Sequence, residues 1–216
     1  MEIAIPLYDR YTALDAVGPY QVLAGLPEAR VRFIAPQAGE VRADNRMLTL
    51  VAEASLEDMP HPDILVVPGG FGTRALLEDE RWLTWIRGAH ETSQYTTSVC
   101  TGSLLLAAAG ILEGVDATTH WAVRTLLGEL GANPVPDRVV ERGKIFTAAG
   151  VSSGIDMALV LTERIAGPEV SQAIQLAIEY DPEPPHDSGS PEKAPKEIVE
   201  LVGAVMGQME AEAASA

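Results

Sequence analysis

Short apolar runs rich in β-branched residues recur along the chain, each followed by a longer stretch with helical spacing. The clearest are EIAIPLY (2–8), VRFIAP (31–36), DILVVPGG (63–70) and YTTSVC (95–100). Continuous apolar strands separated by helix-length segments predict a mostly parallel sheet with helices on both faces, because a strand buried on both sides need not alternate. EVRADNRMLTLVAE (40–53) reads differently: Asp44-Asn45 between two extended runs predicts a hairpin laid at one edge of the sheet. After Cys100 the pattern predicts helices over 102–109 and 121–130, then two short strands within 138–148 around a tight turn at Arg142-Gly143. Helices over 153–166 and 169–180 are divided by Gly167-Pro168, a stop-and-restart signal.

The segment 181–195, DPEPPHDSGSPEKAP, carries five prolines and is expected to hold no regular structure. In the closing segment, KEIVELVGAVMGQMEAE, the residues Ile198, Leu201, Val202 and Val205 fall on one helical face. The expected division is therefore a domain over 1–190, then a C-terminal helix within 191–216 that docks on the same domain or on a dimer partner. The sequence contains no internal repeat.

Length and composition narrow the function classes. The 216 residues, 47% of them hydrophobic and 21% charged, suit one well-packed core. A formal net charge of -16 repels phosphate backbones and anionic lipid, so neither nucleic acid nor membrane is an expected partner. The start, MEIAIPLYDRYT, lacks the basic beginning and cleavage site of a secretory signal, and the expected location is the cytoplasm. A single cysteine excludes an intrachain disulfide and any multi-cysteine metal site. With no HExxH, no paired cysteines and no clustered histidines, no metal is expected.

The chemistry concentrates around that cysteine. In SVCTG (98–102), Val99 closes a strand, Cys100 sits at the bend, and Ser98 and Gly102 are small enough for the backbone to fold tightly, as a nucleophile elbow requires. A helix beginning at Gly102 would aim its N-terminus at the sulfur and favour thiolate. The competing reading is a small, inert core residue. Gly69 and Gly70 close the preceding strand, either as a plain turn or as amide donors to a developing negative charge. Asp15, in TALDAVGPYQVL, reads as a helix cap or as an acid leaning toward the bend, desolvated enough to keep its proton at neutral pH. His120 beside Trp121 reads as a structural histidine or as a base for Cys100, whereas His61, His90 and His186 read as surface residues.

Taken in order, LDAVGP (14–19), VVPGG (66–70), SVCTGSLLLAAAGIL (98–112), ATTHW (117–121) and GVSSGIDMAL (150–159) resemble the ThiJ/PfpI superfamily of the class I glutamine amidotransferase-like fold, and within it the isonitrile hydratase (isocyanide hydratase) branch. The resemblance spans roughly residues 1–190. It implies a flavodoxin-like three-layer α/β sandwich, a homodimer, and a hydro-lyase that turns a small-molecule isonitrile into an N-substituted formamide without a cofactor. Cys100 would be the nucleophile and Asp15 its acid and base; Thr101 would join the catalytic set, its backbone amide steadying charge on the intermediate together with the Gly69 or Gly70 amide and its hydroxyl donating to the sulfur, with His120 and Trp121 as a second layer. Protease-like relatives often carry histidine where this sequence has Thr101, which argues against peptide hydrolysis. The resemblance also leaves open a thiol redox or stress sensor, a glyoxalase- or deglycase-like enzyme, and the sensor half of an AraC-type regulator; DNA binding itself is not expected.

Overall fold

The apolar runs Glu2–Pro6 and Ile64–Val67 become neighbouring parallel strands in the middle of a seven-stranded sheet, with Ile3, Ile5, Ile64 and Leu65 wholly buried. The computed structural model describes residues 1–214; residues 215 and 216, the end of the expected C-terminal helix segment, lie outside the described residues. In chain order the strands are β1 (Glu2–Pro6), β2 (Arg30–Ala35), β3 (Gly39–Arg42), β4 (Thr49–Ala52), β5 (Ala54–Ser55), β6 (Ile64–Val67), β7 (Tyr95–Val99), β8 (Asp116–Ala117), β9 (Asn133–Pro134), β10 (Val139–Arg142) and β11 (Ile145–Ala148). The helices are α1 (Ala13–Leu23), α2 (Thr73–Leu76), α3 (Glu80–Thr92), α4 (Gly102–Ala108), α5 (Arg124–Glu129), α6 (Ser153–Ala166), α7 (Pro168–Ala177) and α8 (Lys196–Ala214).

The central sheet runs β10-β11-β7-β6-β1-β2-β5, parallel except for the β10–β11 pair. Helices α1, α6 and α7 pack together, as do α3, α4 and α5, giving the layered α/β sandwich. The chain leaves β1 toward β2 on one side and later resumes at β6 on the other. At such a switch point, the crevice outside the carboxyl ends of the strands is where α/β sheets place their ligands. The ends of β1, β6 and β7 deliver Asp15, Gly69-Gly70 and Cys100 to that crevice.

Four expectations are revised. The hairpin β3–β4 forms its own two-stranded sheet and does not extend the central one, whose edge is taken by β5. Its backbone groups are claimed elsewhere: Arg10 donates to the Arg42 carbonyl at 2.9 Å, and Asp44 donates to that of Tyr11 at 2.9 Å, so its tip sits over the end of β1. The segment 121–130 divides into a 3-10 turn, Trp121–Val123, and α5. His90 is half-buried, its Nδ1 2.8 Å from the Thr96 hydroxyl and its carbonyl accepting from Lys144 Nζ, while His61 and His186 are exposed. Burial pushes the His90 ring below the usual histidine range. Finally, Ile198, Leu201, Val202 and Val205 remain exposed, and between 196 and 209 the half-buried residues of α8 are Val199, Gly203 and Met206.

The stop-and-restart at Gly167-Pro168 matches the break between α6 and α7, with Gly167 at φ 88. α6 lies close against the sheet because Gly154 has no side chain: a Cβ there would meet both Val99 methyl carbons at 3.0 Å and Pro19 Cγ at 3.2 Å. Gly154→Leu is therefore expected to destabilise the fold by about 1–3 kcal/mol through overpacking, lowering the urea midpoint with little change in slope.

Candidate active site

Strand β7 ends at Val99, and Cys100 turns the chain into α4 with φ 56, a left-handed conformation costly for a side chain with a Cβ. Its neighbours hold it there. The Cys100 amide lies 3.1 Å from the Ala148 carbonyl and 2.8 Å from that of Ala149. Its own carbonyl accepts from the hydroxyls of Thr119 at 3.0 Å and Ser103 at 3.2 Å. Thr119 belongs to the TTHW stretch, and nothing in its spacing marked it as a brace for the bend.

Asp15, in the first turn of α1, is wholly buried. One carboxylate oxygen, Oδ2, accepts the Gly69 amide at 2.9 Å, and the Cys100 thiol donates toward the ionised carboxylate. Position 69 tolerates only glycine here, since a Cβ would fall 2.5 Å from the Thr101 nitrogen and 2.8 Å from Asp15 Oδ2. The Gly70 amide donates to the Thr101 hydroxyl at 2.8 Å, and that hydroxyl lies 3.2 Å from the Gly70 carbonyl. Both glycine amides thus serve Asp15 and Thr101, in contrast to the expectation of free oxyanion donors. The Thr101 side chain faces Gly70, and it is the backbone amides of Thr101 and Val151 that donate to the sulfur.

Burial controls the proton balance. Desolvation raises Asp15 from 3.8 to about 7, opposed by the Gly69 and Cys100 hydrogen bonds and reinforced by the negative charge of Asp44. Burial, then Asp15, push the Cys100 thiol well up, while the Val151 and Thr101 amides pull it down. These directions run against the expected resting thiolate: burial opposes charge on both groups and outweighs the short helix α4. Tyr8, whose hydroxyl donates to the Pro68 carbonyl at 2.8 Å, is likewise raised by burial and by Asp15.

Residues 1–164 match the DJ-1/PfpI family. The chain belongs to that family. Isonitrile hydratase of Pseudomonas putida is 46% identical to it over 93% of this chain and 87% of that protein. A solved ThiJ/PfpI family protein from Pseudomonas syringae has a TM-score of 0.93 at 33% identity, covering 98% of this chain and 88% of the other. The HTH-type transcriptional regulator GbdR of Pseudomonas aeruginosa is 30% identical over 83% of this chain, which spans 50% of that regulator.

In this DJ-1/PfpI protein a cavity of about 170 Å³ opens onto Cys100, Thr101 and Gly70. His120 borders it, but its Nδ1 accepts the Ala122 amide at 3.3 Å and its ring lies against Trp121, with ring centres 5.6 Å apart. Burial, then Arg124, hold His120 below the usual histidine range, as suits a neutral spacer. Asp44, read from sequence only as a turn residue, also reaches this cavity, its Oδ2 2.9 Å from the Thr12 hydroxyl. Among the described residues no group of three or more His, Cys, Asp or Glu could hold a metal ion, and no helix is long and apolar enough to cross a membrane.

The raised Asp15 fixes the sign of a stability effect. Between pH about 4 and about 7 the folded chain keeps a proton that the unfolded chain releases, so this residue's contribution is fully present below that window and lost above it. Asp15→Asn keeps an acceptor for Gly69 and removes the dependence. Relative to wild type it is expected to gain on the order of 4 kcal/mol between pH 4 and pH 8, measured by urea denaturation across that range.

Proposed function

We propose that this chain hydrates isonitriles to N-substituted formamides, with Cys100 as nucleophile and Asp15 as the group that carries the proton. The observation that bears most weight is the pairing itself: a buried carboxyl raised to about 7 beside a strained cysteine that opens onto a cavity. The identity to isonitrile hydratase, 46% over 93% of the chain, supports the choice of substrate.

The terminal carbon of an isonitrile accepts a soft nucleophile and a proton at the same atom. Asp15, as carboxylate, takes the thiol proton while sulfur bonds to that carbon, then delivers the proton to the carbon, leaving a thioimidate, R–N=CH–S–Cys100. Water adds next to the same carbon, its proton passing by way of Asp15 to nitrogen. The C–S bond breaks, sulfur regains a proton, and R–NH–CHO leaves. Water is the only co-reactant. The amides of Thr101 and Val151 steady negative charge on sulfur, and Gly69 and Gly70 act as positioning residues for Asp15 and Thr101.

The working unit in this reading is a homodimer in the cytoplasm, where a lone thiol stays reduced. Exposed Leu14, Tyr20 and Val160 support a partner surface. Elution at the mass of one chain in gel filtration would count against the dimer.

Formation of formamide from an isonitrile, with methylglyoxal and a peptide as comparison substrates, tests the activity. Cys100→Ala is expected to abolish turnover, and Asp15→Asn to lower kcat by about 10²–10⁴-fold. A doubly protonated pair has no base, so kcat/KM is expected to fall as pH drops below about 7, roughly tenfold per unit, a limb that Asp15→Asn should lack. Formamide production by the cysteine-free variant at the wild-type rate defeats the proposal.

A further inference from the structure

The cavity before Cys100 has a wall assembled from distant parts of the chain. Phe71 follows β6, Val123 closes the 3-10 turn, and Val151 follows β11; all three are offered by loops of the sheet domain. The fourth apolar residue, Met206, comes from α8, beyond the proline-rich segment.

Several features place α8 there. Val199, Gly203 and Met206 follow the i, i+4, i+7 spacing of one helical face, and these are the half-buried residues of the helix between 196 and 207. A Cβ on Gly203 would lie 3.7 Å from Trp121 Cη2, an ordinary contact distance, so this side of the helix faces the indole. Ile198, Val199 and Val202 line, with Trp121, a small cavity of about 90 Å³. Upstream, Arg124 pairs with Glu192 at 3.5 Å, fastening the segment before α8 to α5. One turn beyond Gly203, Met206 reaches the space in front of the sulfur.

We propose that α8 is the selecting wall of the active-site cavity, and that Met206 is its specificity-determining residue, favouring isonitriles with compact apolar N-substituents. This rests on the function proposed above. A cavity of about 170 Å³, open on one side, suits a small substituent beside the isonitrile group. Phe71, Val123, Val151 and Met206 give an aliphatic group a carbon-lined surface, which shares the cavity with the charged residues Asp44 and Arg74. Methionine is unbranched and polarizable, so the wall yields to small differences in shape and resists larger ones.

The test uses the full chain with Met206→Ala and Met206→Trp, each checked for folding by thermal melting. kcat/KM is measured for isopropyl isonitrile and 2-naphthyl isonitrile. Met206→Ala is expected to raise the naphthyl-to-isopropyl ratio at least tenfold, and Met206→Trp to lower it, with the larger loss on naphthyl. In parallel, the rate of Cys100 alkylation by iodoacetamide and by its N-benzyl derivative is followed by mass spectrometry, a readout that needs no turnover. The size ratio of alkylation should move in the same direction. Should wild type hydrate neither isonitrile, the proposed function fails while the alkylation ratios still decide the role of α8. Ratios that neither substitution changes, in turnover and in alkylation, overturn the proposal; the Trp variant adds bulk without opening a void, so the question survives if the Ala variant does not fold.

Discussion

Everything at the candidate site depends on one backbone bend. Left-handed backbone at a cysteine costs of order 1–3 kcal/mol, and it persists only where the surroundings over-determine it. Here the constraint comes from opposite sides: carbonyls from the end of β11 hold the Cys100 amide, and the hydroxyls of Thr119 and Ser103 hold its carbonyl. With the backbone fixed, the side chain is directed away from the sheet toward Asp15 and the amides of Val151 and Thr101. The bend is thus a product of tertiary structure, since the end of β11 and the Thr119 loop must both arrive before the cysteine can occupy it. The strand ahead of it is rich in buried hydroxyl residues. Thr96, Thr97 and Ser98 are fully buried, and Thr96 is satisfied by Ser93 and His90.

A second constraint follows from where the bend lies. Burying a cysteine and a carboxylate together penalises charge on both, so the pair resists losing its last proton. Burial therefore favours keeping one proton within the pair. The surroundings keep it so: the Gly69 amide lowers Asp15, Asp44 raises it, and Tyr8 stays protonated under the same burial. A reaction that transfers a proton from sulfur to the carbon that sulfur attacks has no net proton to exchange with water in its first step. An enclosed pair suits it better than an exposed thiolate would.

Much of this architecture was legible in the sequence, and the exceptions share a cause. The apolar runs located β1, β2, β6 and β7 to within a residue or three, because a strand buried on both faces leaves an uninterrupted apolar signature. Gly167-Pro168 located the break between α6 and α7 for an equally local reason. The hairpin β3–β4 was legible as a hairpin, yet its placement was not, since that is decided by hydrogen bonds to Arg10 and Tyr11, far away in sequence. Cys100, Asp15, Gly69, Gly70 and Thr101 lie together at one end of the sheet, where their places at strand ends pointed, whereas the position of His120 at the cavity's border was not legible. Their hydrogen bonds were not legible: no spacing rule says that the Gly69 amide turns to a carboxylate, or that Val151 donates to the sulfur. The thiolate expectation came from a local argument, a helix start beside a thiol, and gave way to burial, a global property.

The same distinction bears on α8. Its heptad-like face of Ile198, Leu201, Val202 and Val205 is the stronger periodic signal, and it is the face left exposed, whereas the weaker series Val199, Gly203 and Met206 turns to the body. A helix that meets its own domain through a glycine and an indole gains backbone proximity at the expense of apolar area, which explains why the pattern understates that contact. The contact also keeps a single flexible side chain facing the cavity, where a continuous apolar stripe would fill it. A face so thinly built can hold a wall in place while leaving room for a substrate; on the outer side Leu201 and Val205 stay 60% and 48% exposed, while Ile198 and Val202 border the small cavity at Trp121. Two sides of one helix thus carry unlike demands, selection on the inner side and solubility or association on the outer, and only the inner side is tied to Cys100 through shared space.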